Sequence, residues 1–229
     1  GCMIGTDQRS TKVVKNVENY VITIARGFGS GGKQIGKLLA SQLGIPCYES
    51  QIPQMASECS GISQEKFMQA DERLRRPSLL RLIRKAPDID RAYAPSDRKF
   101  VSDDNLFRIQ AWIIRELAKS KPCIIIGKCA NHILRDRANV LSVYVEAPRK
   151  TCVESIMQKS GVTAEQANKL IVRTDQYRAE YYKYYTGGDD WTNPTLYDLT
   201  VNTGRLSRED AARLIIQAAR IKFGEDALY

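Results

Sequence analysis

A lysine that closes a glycine-rich turn is the residue of this sequence best suited to phosphate chemistry. The spacing Gly27-x-x-x-x-Gly32-Lys33 fits the P-loop pattern up to its last position. In such a loop the backbone N–H groups converge on a phosphate, and the positive end of the following helix adds to the electrostatic attraction for the anion. Lys33 would reach the β- and γ-phosphates. The expected phosphate-binding residues are Gly27, Gly29, Ser30, Gly31, Gly32, Lys33 and Gln34.

The position after this lysine departs from the pattern. P-loops normally carry a serine or threonine there, whose hydroxyl helps to hold Mg²⁺. Here Gln34 occupies that position and Ile35 follows it. A glycine-rich hairpin before an ordinary helix is the alternative interpretation. The P-loop is favoured because the motif requires a strand before it and a helix after it, and both patterns are present.

An apolar strand and an amphipathic helix flank these glycines. Residues 21–25 form a short, largely β-branched run, which is typical of a buried strand. The helical pattern after the loop places its apolar residues on one face, and these are Ile35, Leu38, Leu39 and Leu43.

Further apolar runs alternate with helical patterns along the chain. Cys123–Ile126 is entirely apolar and follows a helical pattern over residues 103–119, which indicates a strand of a parallel sheet. This alternation predicts a doubly wound α/β fold. We expect a five-stranded parallel sheet in the order 2-3-1-4-5, with residues 21–25 in its central strand. The remaining strands are predicted near residues 47–48, 140–146 and 197–202.

The strand at residues 123–126 ends at a lysine instead of an acidic residue. An aspartate there would be the usual second anchor for Mg²⁺, so this anchor is missing as well. Gly127 and Lys128 follow the strand at its carboxyl end, which is the edge where open α/β sheets bind ligands. Lys128 is therefore a candidate anion-binding residue.

The length of 229 residues predicts a single domain over residues 19–229, preceded by a frayed polar segment at residues 1–18. Residues 50–102 have patchy periodicity and indicate a helical insertion. The basic cluster of the insertion forms either solvated helix faces or a mobile cover that closes on a phosphorylated acceptor. This cluster consists of Arg73, Arg75, Arg76, Arg81, Arg84 and Lys85.

Composition limits the partners and the compartment. The formal net charge of +9 indicates anionic partners, which could be nucleic acid, a membrane surface or phosphorylated small molecules. No apolar run approaches the length of a membrane span. The six cysteines include no C-x-x-C pair, so we expect buried free thiols in a reducing compartment, the cytoplasm. With one histidine, a zinc site of the finger type is not expected.

Four blocks of the sequence together resemble one family. They are residues 24–36, 123–134, 173–191 and 197–203, and the run Arg-Ala-Glu-Tyr-Tyr-Lys-Tyr-Tyr-Thr-Gly at 178–187 is the most distinctive part. On these blocks the chain resembles the cytidylate kinase-like family, a branch of the P-loop nucleoside monophosphate kinases. The resemblance spans residues 20 to 220 and implies a P-loop kinase fold with a lid region at about residues 163–192.

The resemblance also implies roles for residues on both sides of the P-loop. Residues 27–33 would hold the phosphates of ATP, which is used with Mg²⁺. The catalytic residues would be Lys33 together with Arg173, Asp175 and Arg178 of the lid. The acceptor side would consist of Lys128, Glu49, Asn131 and Gln110. The loop that borders the donor base would be Asn202, Thr203, Gly204 and Arg205.

Some of these positions depart from the family pattern. Lys128 stands where such kinases carry an arginine, so the bidentate fork of a guanidinium is lost. Asn131 and Glu49 stand where relatives often have an aspartate. Ile35 stands where they usually have a threonine, so a second hydroxyl is missing near the metal.

Helix geometry complicates the lid. Arg173 and Arg178 lie five residues apart, so their side chains diverge by about 140°. Both reach one phosphate only if the helix kinks or if the site lies near its edge. Asp175 and Arg178 are three residues apart and could simply form a surface ion pair. The tyrosines of this region either pack or stack on a base, and they are Tyr181, Tyr182, Tyr184 and Tyr185. His132 is expected to be a packed or surface residue.

The sequence therefore favours a kinase that moves the γ-phosphoryl group of ATP to a small phosphorylated acceptor, with CMP or dCMP as first choice. A P-loop nucleotide-binding protein without turnover is the alternative, motivated by the missing hydroxyl and strand-end aspartate. Nucleic-acid binding is a third interpretation that rests on the net charge alone and predicts a steep salt dependence. We expect ATP and the small acceptor to be the partners, with neither nucleic acid nor a membrane.

Overall fold

A five-stranded parallel sheet forms the centre of the protein. The structure, a computed structural model, describes residues 19–73, 94 and 96–228. The strands are β1 (Val21–Arg26), β2 (Cys47–Tyr48), β3 (Cys123–Ile126), β4 (Val140–Glu146) and β5 (Leu199–Asn202). Their order is β2-β3-β1-β4-β5 and every pairing is parallel, which confirms the predicted sheet.

Helices cover both faces of this sheet. In chain order the described helices are α1 (Gly32–Leu43), α2 (Gln51–Ser60), α3 (Gln64–Arg73), α4 (Asp103–Ser120), α5 (Ala130–Ile133), α6 (Arg149–Ser160), α7 (Ala164–Thr186) and α8 (Arg208–Phe223). Short 3₁₀ turns lie at Pro194–Leu196 and Glu225–Leu228.

The alternation of side chains along β1 assigns the two faces. Ile22 and Ile24 pack in the cluster formed with α1 and α8. Val21 and Ala25 pack on the opposite face, against the cluster formed with α4 and the aromatic part of α7. Because successive strand residues point to opposite faces, Thr23 belongs to the same face as Val21 and Ala25. One face of the sheet thus packs against α1 and α8. The opposite face, to which Thr23 belongs, packs against α4 and the tyrosines of α7.

The regions expected outside the sheet are described in part. Within residues 50–102, α2 and α3 are the described helices, and most of the basic cluster lies outside the described residues, as does the N-terminal segment 1–18. The expected lid region consists largely of one continuous helix, α7. Three of the cysteines, Cys123, Cys129 and Cys152, are buried free thiols as expected. In the described part of the chain, no helix is long and apolar enough to cross a membrane.

Candidate active site

The glycine-rich loop connects the central strand to α1 in the conformation that a phosphate site requires. Gly29 and Gly31 have φ values of 92° and 90°, which side-chain-bearing residues rarely adopt. The Ser30 hydroxyl donates to the Gly27 carbonyl oxygen over 2.8 Å and so fixes the turn. No side chain caps α1, which begins at Gly32. The first N–H groups of this helix therefore have no partner within the helix and can bind an anion.

A carboxylate holds the P-loop lysine. Glu49 follows β2, and its Oε2 lies 2.5 Å from Lys33 Nζ while its Oε1 accepts from Arg26 Nη2 over 3.0 Å. Burial alone would raise the pKa of Glu49, but the hydrogen bonds and charges of Lys33 and Arg26 outweigh it and lower that pKa. One carboxylate thus pairs with two cations, one at each end of the loop, and the three side chains together keep a net positive charge.

Arg26 is the last residue of β1, and its guanidinium lies at the carboxyl edge of the sheet. Burial lowers the pKa of Arg26, and the carboxylates of Glu49 and Asp175 offset part of this effect. The guanidinium passes directly over Gly127, where a Cβ atom would collide with Nη1. A glycine after β3 is therefore what makes room for the Arg26 side chain.

The chain turns sharply after β3 through three successive left-handed residues. Gly127, Lys128 and Cys129 have φ values of 71°, 57° and 54°. For the two residues with side chains this conformation costs roughly 1–2 kcal/mol each. Strained backbone of this kind tends to occur at functional sites, and here it brings Lys128 to a cavity next to the loop.

Helix α7 contacts the glycine-rich loop through Asp175 and Arg178. Asp175 Oδ1 accepts the backbone N–H of Phe28 over 2.8 Å, and Arg178 Nη1 donates to the carbonyl oxygen of Arg26 over 2.8 Å. The Arg178 guanidinium also lies 5.6 Å from the centre of the Phe28 ring. Arg178 Nη1 and Asp175 Oδ1 are 3.4 Å apart, and both side chains are partly buried. They therefore help to support the loop and do not form a surface ion pair.

The two groups on α7 have perturbed protonation equilibria. Burial and, to a smaller extent, the nearby charge of Arg26 lower the pKa of Arg178 to about 10, although Asp175 and other carboxylates oppose these effects. Burial raises the pKa of Asp175, and its hydrogen bond from Phe28 and the charge of Arg178 offset this in part. Arg178 remains a cation at neutral pH.

A cavity of about 210 Å³ lies between the carboxyl half of β1 and α7. Its charged end is formed by Arg26, Glu49, Lys128 and Arg178. The remaining wall is largely aromatic and consists of Tyr177, Tyr181, Tyr182, Trp191 and Tyr197, with Thr23, Ala25, Asn131 and Thr174 among the smaller residues. A cavity that is cationic at one end and aromatic along its length suits a phosphorylated aromatic compound.

The tyrosine run divides between packing and the cavity. Tyr185 stacks on Phe107 of α4 with ring centres 3.6 Å apart, and the Tyr184 hydroxyl donates to Asp104 Oδ1 over 3.0 Å. Tyr181 and Tyr182 line the cavity instead, and the Tyr182 hydroxyl accepts from Asn131 Nδ2 over 2.8 Å. Packing thus applies to the whole run, since Tyr181 and Tyr182 are also buried in the core, and stacking on a base stays a prediction for the two that line the cavity.

The loop after β5 is fastened to the other side of the P-loop. The Thr203 hydroxyl donates to the Ser30 carbonyl oxygen over 2.6 Å, and the Thr203 N–H donates to the Glu146 carbonyl oxygen over 2.9 Å. Asn202 Oδ1 accepts the N–H of Gly204 over 2.9 Å, and a Cβ on Gly204 would collide with Pro148. Residues 202–205 thus lie beside the phosphate loop, where the sequence placed the donor base.

Some residues expected at the site lie away from the cavity. Arg173 is exposed on α7, because the helix continues unbroken past it and turns its side chain away from Arg178. Gln110 is buried in α4 and does not line the cavity. His132 is partly buried, and its ring meets the Tyr182 ring edge to face. Of the three lid residues, the structure brings Asp175 and Arg178 to the loop and leaves Arg173 outside.

Sequence reasoning missed several residues at the site. Arg26 could have been noticed as a cation that directly precedes the first glycine of the loop, and Thr23 as the one polar residue in an apolar strand. The Glu146 carboxylate lies against Gly27, where it leaves no room for a Cβ atom. Arg208, at the start of α8, lies against Gly31 on the donor side and has no sequence signal of its own.

Comparisons with known proteins agree with this geometry. The model of the cytidylate kinase-like family matches residues 21–205. The chain is 28% identical over 193 residues to the cytidylate kinase of Aeropyrum pernix, which covers 84% of this chain and 94% of that protein. It is 26% identical over 210 residues to the cytidylate kinase of Methanopyrus kandleri, which covers 88% and 93%. An uncharacterized protein from Eubacterium ventriosum shares the fold, with a TM-score of 0.64 and 22% identity over 88% of this chain and 98% of that one.

Proposed function

The chain belongs to the cytidylate kinase-like family, and from this premise we propose that it transfers the γ-phosphoryl group of ATP to a nucleoside monophosphate, with CMP or dCMP as the preferred acceptor. One observation carries the proposal. Three cations line one aromatic cavity beside the P-loop, and these are Arg26, Lys128 and Arg178. Lys33 of the P-loop pairs with Glu49, which lines the same cavity. This is the arrangement that two aligned phosphate groups need.

Phosphoryl transfer needs positioning and charge neutralisation more than covalent chemistry from the protein. The P-loop N–H groups and Lys33 hold the phosphates of ATP. Lys128 and Arg26 hold the acceptor phosphate, one of whose oxygens attacks the γ-phosphorus. The bond from that phosphorus to the β,γ-bridging oxygen breaks, and ADP leaves with the electron pair. Arg178 bonds the Arg26 carbonyl oxygen at the start of the loop and neutralises charge on the transferring group.

The aromatic part of the cavity accounts for the nucleoside. A nucleobase is flat and apolar on its faces, so Tyr177, Tyr181 and Trp191 can contact it. Asn131 and Thr23 supply polar groups of the kind that fix orientation in such sites. CMP and dCMP are proposed because the curated relatives are cytidylate kinases.

Mg²⁺ enters as part of the Mg·ATP substrate. In the described segments, no group of three or more His, Cys, Asp or Glu side chains is placed to hold a metal ion. The carboxylates nearest the loop, Glu49, Glu146 and Asp175, are each hydrogen-bonded within the protein. The phosphates of ATP and water would then supply most ligands of the ion, as is common for Mg²⁺. Its charge would neutralise the β- and γ-phosphates.

Nucleotide binding without turnover is the second candidate. Two observations favour it: Gln34 removes the hydroxyl that usually holds Mg²⁺, and Lys33 is held by Glu49. Under this alternative the protein binds ATP and a nucleoside monophosphate but forms no ADP.

An acceptor panel separates the two candidates. ADP formation is measured with Mg·ATP and each of CMP, dCMP, UMP, AMP and GMP, and thermal stabilisation by the same nucleotides is measured in parallel. Turnover with CMP or dCMP above the other acceptors supports the proposal. Stabilisation by these nucleotides without ADP formation supports the non-catalytic alternative. If no nucleoside monophosphate stabilises the protein, the acceptor class is wrong.

A further inference from the structure

The buried hydroxyl of Thr23 has no hydrogen-bond partner among the residues that the structure describes. Thr23 is 1% exposed, and its Oγ1 is one of the buried polar atoms in the described residues that lack a partner. Gln110 Oε1 shares this condition, but Gln110 does not line the cavity, whereas Thr23 does. A buried polar group that is left unpaired in a folded protein calls for an explanation.

The position of Thr23 does not require a hydroxyl for folding. Its neighbours in β1 are Ile22 and Ile24, and its register partners are Ile125 of β3 and Ser142 of β4. Valine has the same shape and a high strand propensity, and it would bury no unpaired oxygen. A threonine here costs the free protein stability that a valine would not. The cost is explained if something that enters the cavity uses the hydroxyl.

The place of Thr23 along the strand indicates which part of a ligand it meets. It precedes Arg26 by three residues, so it lies about 10 Å from the charged end of the cavity at the usual strand rise. A phosphate at Arg26 and Lys128 is beyond its reach. The uncharged part of the cavity lining is largely aromatic, and a nucleoside attached to that phosphate would lie among these side chains.

Two other polar groups of the wall are bonded to each other. Asn131 donates to the Tyr182 hydroxyl, which occupies an Asn131 N–H and a Tyr182 lone pair. A threonine hydroxyl can both donate and accept one hydrogen bond, so it can bond a ring carbonyl, a ring nitrogen or a sugar hydroxyl. An apolar ligand would leave it unpaired.

We propose that the Thr23 hydroxyl hydrogen-bonds the nucleoside part of the acceptor nucleotide and thereby contributes to its selection, an inference that rests on the proposed kinase function. The rival explanation is that cavity water alone bonds this hydroxyl. Both explanations predict the same free protein, but only the proposal predicts an effect on nucleotide affinity.

Thr23→Val tests the inference, with CMP as the probe and isothermal titration calorimetry of the full chain as the measurement. The variant should bind CMP about tenfold more weakly, as expected for one lost hydrogen bond, while its affinity for ATP stays unchanged. Its melting temperature without ligand should rise, because an unpaired buried hydroxyl is removed without loss of shape. Higher stability together with weaker CMP binding is a combination that a purely structural threonine would not give.

Three further variants control the experiment. Thr23→Ser keeps the hydroxyl and should bind CMP within about twofold of the wild type. Thr23→Ala removes the hydroxyl without the bulk of valine, so it replaces the first variant if that one does not fold. Thr200→Val makes the same change at an exposed position of β5 and should alter neither CMP affinity nor the melting temperature.

The outcomes separate this inference from the proposed function. CMP affinity of Thr23→Val equal to that of the wild type overturns the inference and supports the water explanation. Equal losses in Thr23→Val and Thr23→Ser would also overturn it, since the hydroxyl would then not be responsible. If the wild type itself binds neither CMP nor another nucleoside monophosphate, the proposed function fails and the inference fails with it.

Discussion

The P-loop has two sides that are built differently. On the side of β5, Thr203 bonds the Ser30 carbonyl oxygen and the Glu146 carbonyl oxygen, and Asn202 bonds Gly204. On the side of the cavity, the Glu49 carboxylate holds two cations, and the Thr23 hydroxyl has no partner within the described part of the chain. On the β5 side, hydrogen bonds between groups of the protein hold the loop.

This difference distinguishes support from recognition. The hydrogen bonds from the partly buried Thr203 hydroxyl to backbone carbonyl oxygens are made within the protein, so they hold the loop in shape. An ion pair that is partly open to solvent can give its cations to a phosphate without leaving a buried charge unpaired. Substitutions on the β5 side should therefore act through the loop, and substitutions on the cavity side should act on substrates directly.

Lys33→Ala is expected to have the largest effect. Lys33 contacts the β- and γ-phosphates under the proposal, so its loss should lower turnover about a thousandfold and weaken ATP binding. The fold should survive, because the Lys33 side chain is 49% exposed. Steady-state kinetics and calorimetry with ATP measure both effects. The control is Lys37→Ala, which removes an exposed lysine one turn further along α1. Unchanged ATP affinity in a folded Lys33→Ala protein would refute the P-loop assignment.

Arg178→Ala should have the next largest effect. Loss of a charge that acts mainly in the transition state costs roughly 3 kcal/mol, near a hundredfold in kcat. The lost hydrogen bond to the Arg26 carbonyl should lower the stability by about 1 kcal/mol. Arg173→Ala removes the same kind of side chain from the exposed face of the same helix, and we expect its kcat to change by less than about twofold. Equal losses in the two variants would mean that α7 bends during catalysis.

Gly127→Ala tests the cavity side without removing a charge. The new methyl group would collide with the Arg26 guanidinium and displace it, so CMP affinity should fall about tenfold. Gly61→Ala is a matched control, because Gly61 has φ 72°, close to the 71° of Gly127, but open space around it. Both variants should lose about 1 kcal/mol of stability for the left-handed backbone. A CMP affinity that falls equally in both would show that Arg26 is not involved.

Thr203→Val should have the smallest effect and a different target. It removes the hydrogen bond to the Ser30 carbonyl oxygen, so the free energy of unfolding should fall by about 1 kcal/mol. The melting temperature should fall accordingly. The KM for ATP should rise about threefold as the loop loosens, since that factor corresponds to a fraction of one hydrogen bond. CMP affinity, measured by calorimetry, should not change. A larger effect on CMP than on ATP would contradict the division between the two sides.

The sheet and the loop could be predicted from the sequence because their signals are local. Apolar strands, helical periodicity and glycine spacing each occupy a few consecutive residues, and they gave the strand order and the place of Lys33. The helical period also indicated that Arg173 and Arg178 point in different directions, and the continuous α7 confirms this. The helical period could not indicate which of the two arginines faces the loop.

Contacts between residues far apart in the sequence could not be predicted from the sequence. Phe28 and Asp175 are 147 residues apart, and Ser30 and Thr203 are 173 apart. The pairing of Arg26 with Glu49 depends on β2 ending near β1 across β3, and no pattern within either segment encodes it. Arg26 and Thr23 were overlooked because their importance lies in what surrounds them.

Under the proposed function, the position of Glu49 also links the two substrates energetically. Its carboxylate contacts Lys33, which the proposal assigns to ATP, and Arg26, which lines the cavity that the proposal assigns to the acceptor. An anion that takes one of these cations leaves the whole carboxylate charge to the other, so the first substrate to bind opposes the second. Such a coupling free energy is reciprocal: the factor by which ATP weakens CMP binding must equal the factor by which CMP weakens ATP binding. Glu49→Gln, which removes the shared charge, should bring both factors close to one.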